Sequence, residues 1–335
     1  MTNQPTMRAM TLEEFGGPDV LRENTIERPT PSADTVVVEL AYAGVNPADW
    51  KSREGWLSQY FEYKFPFVLG FDGAGRVAEL GKDVTGLSVG DRVVLASNQG
   101  KGERGTYAQF VNGDAERVIR LPDNVPMKDA AAMPTAAITA HEAVHYVGKV
   151  KPGQYVLVNG GAGGTGGYAI QLAKEAGAHV AATCGPDNIA YVQSLGGDLA
   201  INYREQDVAK EIGKWVPDGI DLLIDTVGQG SLPQGVAMTR SGGIVAPIAT
   251  LIEDEEQHDF ALAEEKGVSI VHTIANYEHQ SAQLRELVAM MADGRLTSPK
   301  IETMPLIAAG AAHERVEDGH VRGKLVLEIN AALDA

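Results

Sequence analysis

The chain has 335 residues, enough for two compact domains, and carries 45 acidic against 28 basic side chains for a formal net charge of −17. Its basic residues form no cluster, so nucleic acid is excluded as a partner, and the acidity reads as a well-solvated surface. One cysteine, Cys184, excludes an intramolecular disulfide and any zinc site built from several thiolates.

The N-terminus lacks the cationic start and apolar core of a signal peptide, and no apolar run reaches membrane-spanning length, so a cytoplasmic protein is expected. From residue 7 to 120, short β-type runs alternate with Gly and Pro turns: Thr35–Tyr42, Gly75–Leu80, Asp91–Leu95 and Tyr107–Val111. This pattern predicts a compact, mostly antiparallel β-barrel.

From about residue 126 the character changes. Val156–Val158 is a buried β-type run; a glycine cluster follows it, then a helix with apolar Ile170, Leu172 and Ala173. Gly161, Gly163 and Gly166 fit the spacing of a dinucleotide-binding turn, in which amides at a helix start meet a pyrophosphate. That spacing alone is weak evidence; its strand–turn–helix setting supplies the strength. Gly161, Gly163, Gly164, Thr165 and Gly166 are therefore the candidate pyrophosphate contacts. The next strand, His179–Cys184, ends in Thr183, Cys184 and Gly185 with no carboxylate to repel a 2′-phosphate. NADPH is expected there with NADH as the alternative, since Asp187 lies close by. Strands at 219–225, 242–249 and 268–274 complete a doubly wound parallel sheet. A helix over Gln283–Ala292 and strands Lys300–Pro305 and Gly323–Ile329 then return the chain to the first domain, and the two closely joined domains should leave a cleft.

Seven segments in order carry a family resemblance: Phe15–Leu21, Ala43–Trp50 with Arg53 and Gly55, Phe65–Gly75, Gly90–Val93, Ala130–Pro134, the glycine turn, and Gly319–Leu327. The chain resembles the medium-chain dehydrogenase/reductase superfamily, in its zinc-independent quinone oxidoreductase (zeta-crystallin-like) branch, over nearly its whole length. The resemblance implies a Rossmann domain (126–278) inserted into a GroES-like β-barrel domain (1–125 and 279–335), a homodimer, and NADPH-dependent hydride transfer to a small-molecule quinone or α,β-unsaturated carbonyl. Zinc-dependent members hold their metal at positions occupied here by Asn46, Phe71 and Thr135, a poor donor set, so no metal is expected. His141 and His145, on one helical face, read as packing or surface residues.

Further roles follow from the same resemblance. Tyr203 is expected against the 2′-phosphate, with Asn188 where several relatives have lysine. Thr135 is expected near the nicotinamide carboxamide, Val227 and Gly228 beneath the adenosine, Ile248 and Ala249 against the nicotinamide, and Lys324 near the cofactor's phosphate or carboxamide end, although a solvated strand-end charge accounts for Lys324 equally well. Asn46 and Tyr60 are the catalytic candidates. Asn46 would hold the substrate carbonyl or nicotinamide ribose, although a turn before Pro47 accounts for it equally well. A bound water or a tyrosine supplies the final proton. Trp56, Tyr60 and Tyr63 suit stacking on a flat conjugated substrate, with barrel packing as the competing view. The acidic stretch Ile252–His258 marks an unusual pocket. A cofactor-binding protein of structural or sensing role with little turnover, and an alcohol dehydrogenase, are the rival functions.

Overall fold

The computed structural model describes residues 5–60, 62–97, 99, 105–228, 230–248, 258–274, 278–319 and 321–335. Contacts divide the chain into two compact units, 1–135 with 277–335, and 136–276.

The first unit is organised by one long strand, Thr35–Val45, whose run of β-branched and small residues is buried on both faces. It lies inside a seven-stranded sheet, in which Asp72–Leu80 pairs antiparallel with it on one side and Lys324–Glu328 on the other. Val36, Val38 and Leu40 join Val77, Val93, Leu95, Val111 and Val118 in one apolar cluster. Beyond register shifts at Val37/Val38 and Leu40/Tyr42, Ala43 and Val45 enter a second cluster, with Leu69, Tyr107, Leu325 and Leu327. The strand thus delivers Asn46 at the edge of a packed core. A three-stranded sheet, Arg22–Glu27, Thr6–Leu12 and Phe67–Val68, completes the β structure described here. The helix Met127–Ala131 packs on Thr35–Val45 and Asp72–Leu80, and its Met127 N–H donates to Asp334.

The second unit is a six-stranded sheet in which every pairing is parallel, in the order Leu199–Asn202, His179–Cys184, Tyr155–Asn159, Ile220–Asp225, Thr239–Pro247, Ser269–Ile270. This is the order of a dinucleotide-binding doubly wound fold, with its switch point between Tyr155–Asn159 and Ile220–Asp225. Leu157, Ala181, Leu223 and Val245 build its core.

Two expected strands differ. Tyr107–Val111 becomes Phe110–Asp114, because Tyr107 donates its N–H to the Leu69 carbonyl outside the sheet and turns its ring into the second cluster. The strand at 268–274 shortens to Ser269–Ile270; beyond it only the Val271 and Thr273 N–H groups still bond to Val245 and Pro247. No helix among the described residues is long and apolar enough to cross a membrane. The acidic stretch lies, apart from His258, outside the described residues.

Candidate active site and dinucleotide turn

In the second unit, Tyr155–Asn159 runs into Gly160, whose φ of +84° only glycine adopts without strain. Helix Gly164–Glu175 begins directly, with Gly163 as its N-cap and no side chain capping the first turn. A Cβ on Gly166 would lie 2.2 Å from the Gly160 carbonyl oxygen, and one on Gly161 2.7 Å from the Ala182 methyl group. A Cβ on Gly163 would lie 3.4 Å from that same Gly160 oxygen. Gly161 and Gly166 are therefore demanded by packing; Gly163 donates its N–H to the Gly160 carbonyl at 3.1 Å, and the helix start that follows it carries no side-chain cap. That arrangement fits a dinucleotide pyrophosphate. Thr165 is half-buried on the first turn.

The strand ends behind this turn are tied by a network that the sequence did not disclose. Thr183 Oγ1 donates to Asn159 Oδ1 at 2.7 Å and accepts from the Gly160 N–H at 2.9 Å. Asn159 Nδ2 donates to Asp225 Oδ1 at 2.8 Å, and the same oxygen accepts from the Val227 and Gly228 N–H groups at 3.0 and 3.1 Å. Sequence reasoning missed Asn159 and Asp225; each is the last residue of a buried strand, and that position was the available signal. Val227 projects into solvent beside Gly228, and Ile248 is buried with its N–H on the Asp225 carbonyl at 2.8 Å. Ala249 lies outside the described residues.

At the end of His179–Cys184, the Cys184 thiol is buried and desolvation pushes it up to about 11, so it is neutral. Gly185 is extended and open, and Asn188 ends the short turn Pro186–Asn188 with its Oδ1 buried and without a partner among the described residues. Tyr203 is 51% exposed on the adjoining strand end. The Arg204 guanidinium stands 5.9 Å from the centre of its ring.

In the first unit, Asn46 precedes helix Pro47–Arg53. Its N–H donates to Asp49 Oδ2 at 2.7 Å, and its carbonyl accepts from the Asp49 N–H at 3.0 Å, which fixes the helix start. Its side chain is used elsewhere. Asn46 Nδ2 donates to Asp72 Oδ2 at 2.9 Å, and Asn46 Oδ1 accepts from Lys324 Nζ, which also donates to the Val45 carbonyl at 2.9 Å. Asp72 Oδ1 accepts from the Thr135 hydroxyl at 2.6 Å and the Thr135 N–H at 3.0 Å. Asn46 and Thr135 thus converge on one carboxylate, and Lys324 is held against Asn46.

The cluster is almost fully buried, which governs its titration. Burial, then the charge of Asp72, pushes Asp49 up to about 7. Burial also raises Asp72, against the pull of Lys324 and the hydrogen bonds from Thr135 and Asn46. It lowers Lys324, while Asp72 and Asp49 act to restore its charge. The Tyr107 hydroxyl is hydrogen-bonded to Asp49 and lies 3.1 Å from His313 Nε2. Burial, assisted by Arg53, drives His313 down to about 3, so it is neutral.

The aromatic candidates separate. Trp56 packs edge-on against Trp50, ring centres 5.0 Å apart. Tyr63 is wedged between Phe15 and Phe67 at 5.0 and 4.8 Å. Tyr60 is 59% exposed. His141 and His145 lie 4.4 Å apart, yet among the described residues no group of three or more His, Cys, Asp or Glu side chains is placed to hold a metal ion. The residues around Asn46 do not fit zinc: an amide oxygen already engaged by an ammonium group, a hydroxyl and a phenyl ring replace thiolate and imidazole.

Residues 32–123 match the family described as alcohol dehydrogenase GroES-like domain, and residues 195–327 the family described as zinc-binding dehydrogenase. The chain is 29% identical to the quinone oxidoreductase of Homo sapiens over 331 residues, covering 97% of this chain and 99% of that protein. Among solved structures, the quinone oxidoreductase from Coxiella burnetii superposes with a TM-score of 0.84 at 30% identity, over 97% of this chain and 100% of the other. A structure described as an NAD-dependent alcohol dehydrogenase gives 0.88 at 30% identity, over 96% and 100% of the two chains. A mycobacterial protein complexed with NADPH gives 0.84 at 28%, over 96% and 100%. The chain belongs to the medium-chain dehydrogenase/reductase superfamily, in its quinone oxidoreductase branch, and is an oxidoreductase with the nicotinamide-binding fold of that family.

Proposed function

We propose that the protein is an NADPH-dependent reductase that works without zinc and delivers hydride to a quinone or an α,β-unsaturated carbonyl. The observation that carries this reading is the Asn46–Asp72–Thr135 cluster, in which Asn46 and Thr135, at two of the metal-ligand positions of zinc-dependent relatives, are bonded to one carboxylate while Lys324 donates to Asn46. When bound, the nicotinamide supplies a hydride equivalent; with one proton it converts an enone to the saturated ketone and leaves NADP⁺.

The chain's own residues bind and orient. The helix start at Gly164, which no side chain caps, receives the pyrophosphate, backed by the packing of Gly161 and Gly166. Preference for the 2′-phosphate rests on Tyr203 and Arg204, together with a strand end whose Thr183 hydroxyl is engaged internally and whose Cys184 is neutral. Asn46 retains one amide N–H beyond the one given to Asp72 and offers it to the acceptor carbonyl oxygen. Solvent or Tyr60, exposed on the first unit, returns the proton.

The test is NADPH consumption with a panel of quinones and enones, in the presence and absence of a chelator. Turnover that withstands the chelator supports the reading. Tight NADPH binding with no turnover on any acceptor would favour a sensing or structural role, and loss of turnover on chelation an alcohol dehydrogenase-like metal mechanism.

A further inference from the structure

We propose that the buried Lys324 ammonium does the work of a metal cation at this site: it positions and polarises the Asn46 amide, making Asn46 a strengthened donor toward a substrate carbonyl oxygen. The inference rests on the reductase reading above and assigns the electrophilic charge of that site.

An asparagine amide has one acceptor oxygen and two N–H donors. Lys324 occupies Oδ1 of Asn46, and Asp72 Oδ2 takes one N–H. These two bonds fix which end of the amide is oxygen, because an ammonium group can only donate and a carboxylate can only accept. Among the described residues, one N–H remains unspent. A cation on the amide oxygen draws electron density from the nitrogen and strengthens that remaining donor, and the effect is large where water is excluded. Asn46 and Lys324 are both buried, at 2% and 4% exposure.

Burial works against the charge on Lys324, and two neighbouring carboxylates oppose that shift. The Asp72 and Asp49 carboxylates, from a strand and a helix packed around it, both favour the ammonium form against the cost of burial. Its Val45 and Asn46 partners are oxygen acceptors. A zinc ion seated against Asn46 would meet this ammonium head-on. Lys324 acts through Asn46 and is therefore a positioning residue.

Two measurements on the full-length protein decide the matter. In 15N-lysine NMR at pH 7, one protected Nζ signal of the ammonium type is expected, absent from Lys324→Met. A neutral-amine signal at that position overturns the proposal, whatever the activity. In kinetics with NADPH and an alkyl vinyl ketone, Lys324→Met should lower kcat by about 100-fold or more, the size seen for loss of one oxyanion donor, with NADPH affinity changed by less than about threefold. Lys324→Arg, which keeps the charge, should recover part of kcat. Retention of kcat within about threefold in Lys324→Met overturns the proposal. Should Lys324→Met not fold, Lys324→Arg and the wild-type NMR still decide. A wild-type protein that turns over no acceptor defeats the reductase reading, while the NMR measurement continues to judge Lys324.

Discussion

The amide nitrogen of Asn46 lies 2.9 Å from Asp72 Oδ2, while the other oxygen of that carboxylate holds Thr135 through both its hydroxyl and its backbone N–H. Asp72 is thus the shared anchor of two loops, one ending the long strand Thr35–Val45 and the other leading to the second unit. It stands directly after Phe71.

Removing that anchor should be costly. Asp72→Ala removes the shared acceptor of Asn46 and Thr135 and one balancing charge of Lys324, with an expected loss of about 3–5 kcal/mol of stability. Asp72→Asn, which preserves shape and one acceptor, should lose less. Urea denaturation of both variants checks this; an Ala variant as stable as wild type would show that the network contributes nothing to folding.

Two buried groups should oppose each other in pH dependence. Asp49 is raised in the folded state to about 7, so its contribution is full below the unfolded carboxyl value and fades as pH rises through 7. His313 is depressed to about 3, so its contribution is present above its unfolded value of 6.5 and fades as pH falls toward 3. Between roughly pH 4 and 6.5 the slopes have opposite sign, each bounded by about 1.4 kcal/mol per pH unit. Asp49→Asn should therefore steepen the rise of stability with pH, and His313→Gln should reverse it. Melting temperatures across this window give the answer.

The glycines of the turn should respond unequally. Gly166→Ala drives a methyl group to 2.2 Å from the Gly160 carbonyl oxygen and should cost about 1–3 kcal/mol. Gly163→Ala meets that oxygen at 3.4 Å and should fold nearly normally while weakening NADPH binding, as the proposed pyrophosphate turn requires close backbone approach there. Thermal melts paired with fluorescence titration separate the two effects.

Arg204→Ala should raise the NADPH dissociation constant about tenfold or more, as expected for loss of one charge-assisted hydrogen bond, and leave NADH binding unchanged. Equal weakening of both cofactors would assign Arg204 to something other than the 2′-phosphate.

Cys184, the single cysteine, should resist alkylation in the native protein at pH 8, since its thiol is buried and held up near 11. Mass spectrometry after iodoacetamide treatment, with and without denaturant, reads this directly.

Local order in the chain made much of this legible beforehand. The β-branched run before Gly160, the glycine spacing and the amphipathic helix specify a parallel strand–turn–helix, because each is fixed by neighbours in sequence. The residues replacing metal ligands were also readable, since side-chain chemistry alone disqualifies phenylalanine as a donor. Residue partners were not. Lys324 and Asn46 lie 278 positions apart, and only the antiparallel pairing of Leu325 with Val45 brings them together. Asn159, Thr183 and Asp225 likewise meet only because their strands lie side by side in the sheet.

Sequence by itself determined the family, the doubly wound and barrel-type elements, and the candidate cofactor turn, all of which follow from short-range pattern and residue chemistry. Tertiary structure decided that Lys324 is spent on Asn46, that Asp72 and Asp49 share its charge, and that Tyr63 and Trp56 are engaged in ring packing. The physical reason is that burial, charge balance and hydrogen-bond satisfaction are properties of groups brought close by folding, and no local stretch of chain contains them.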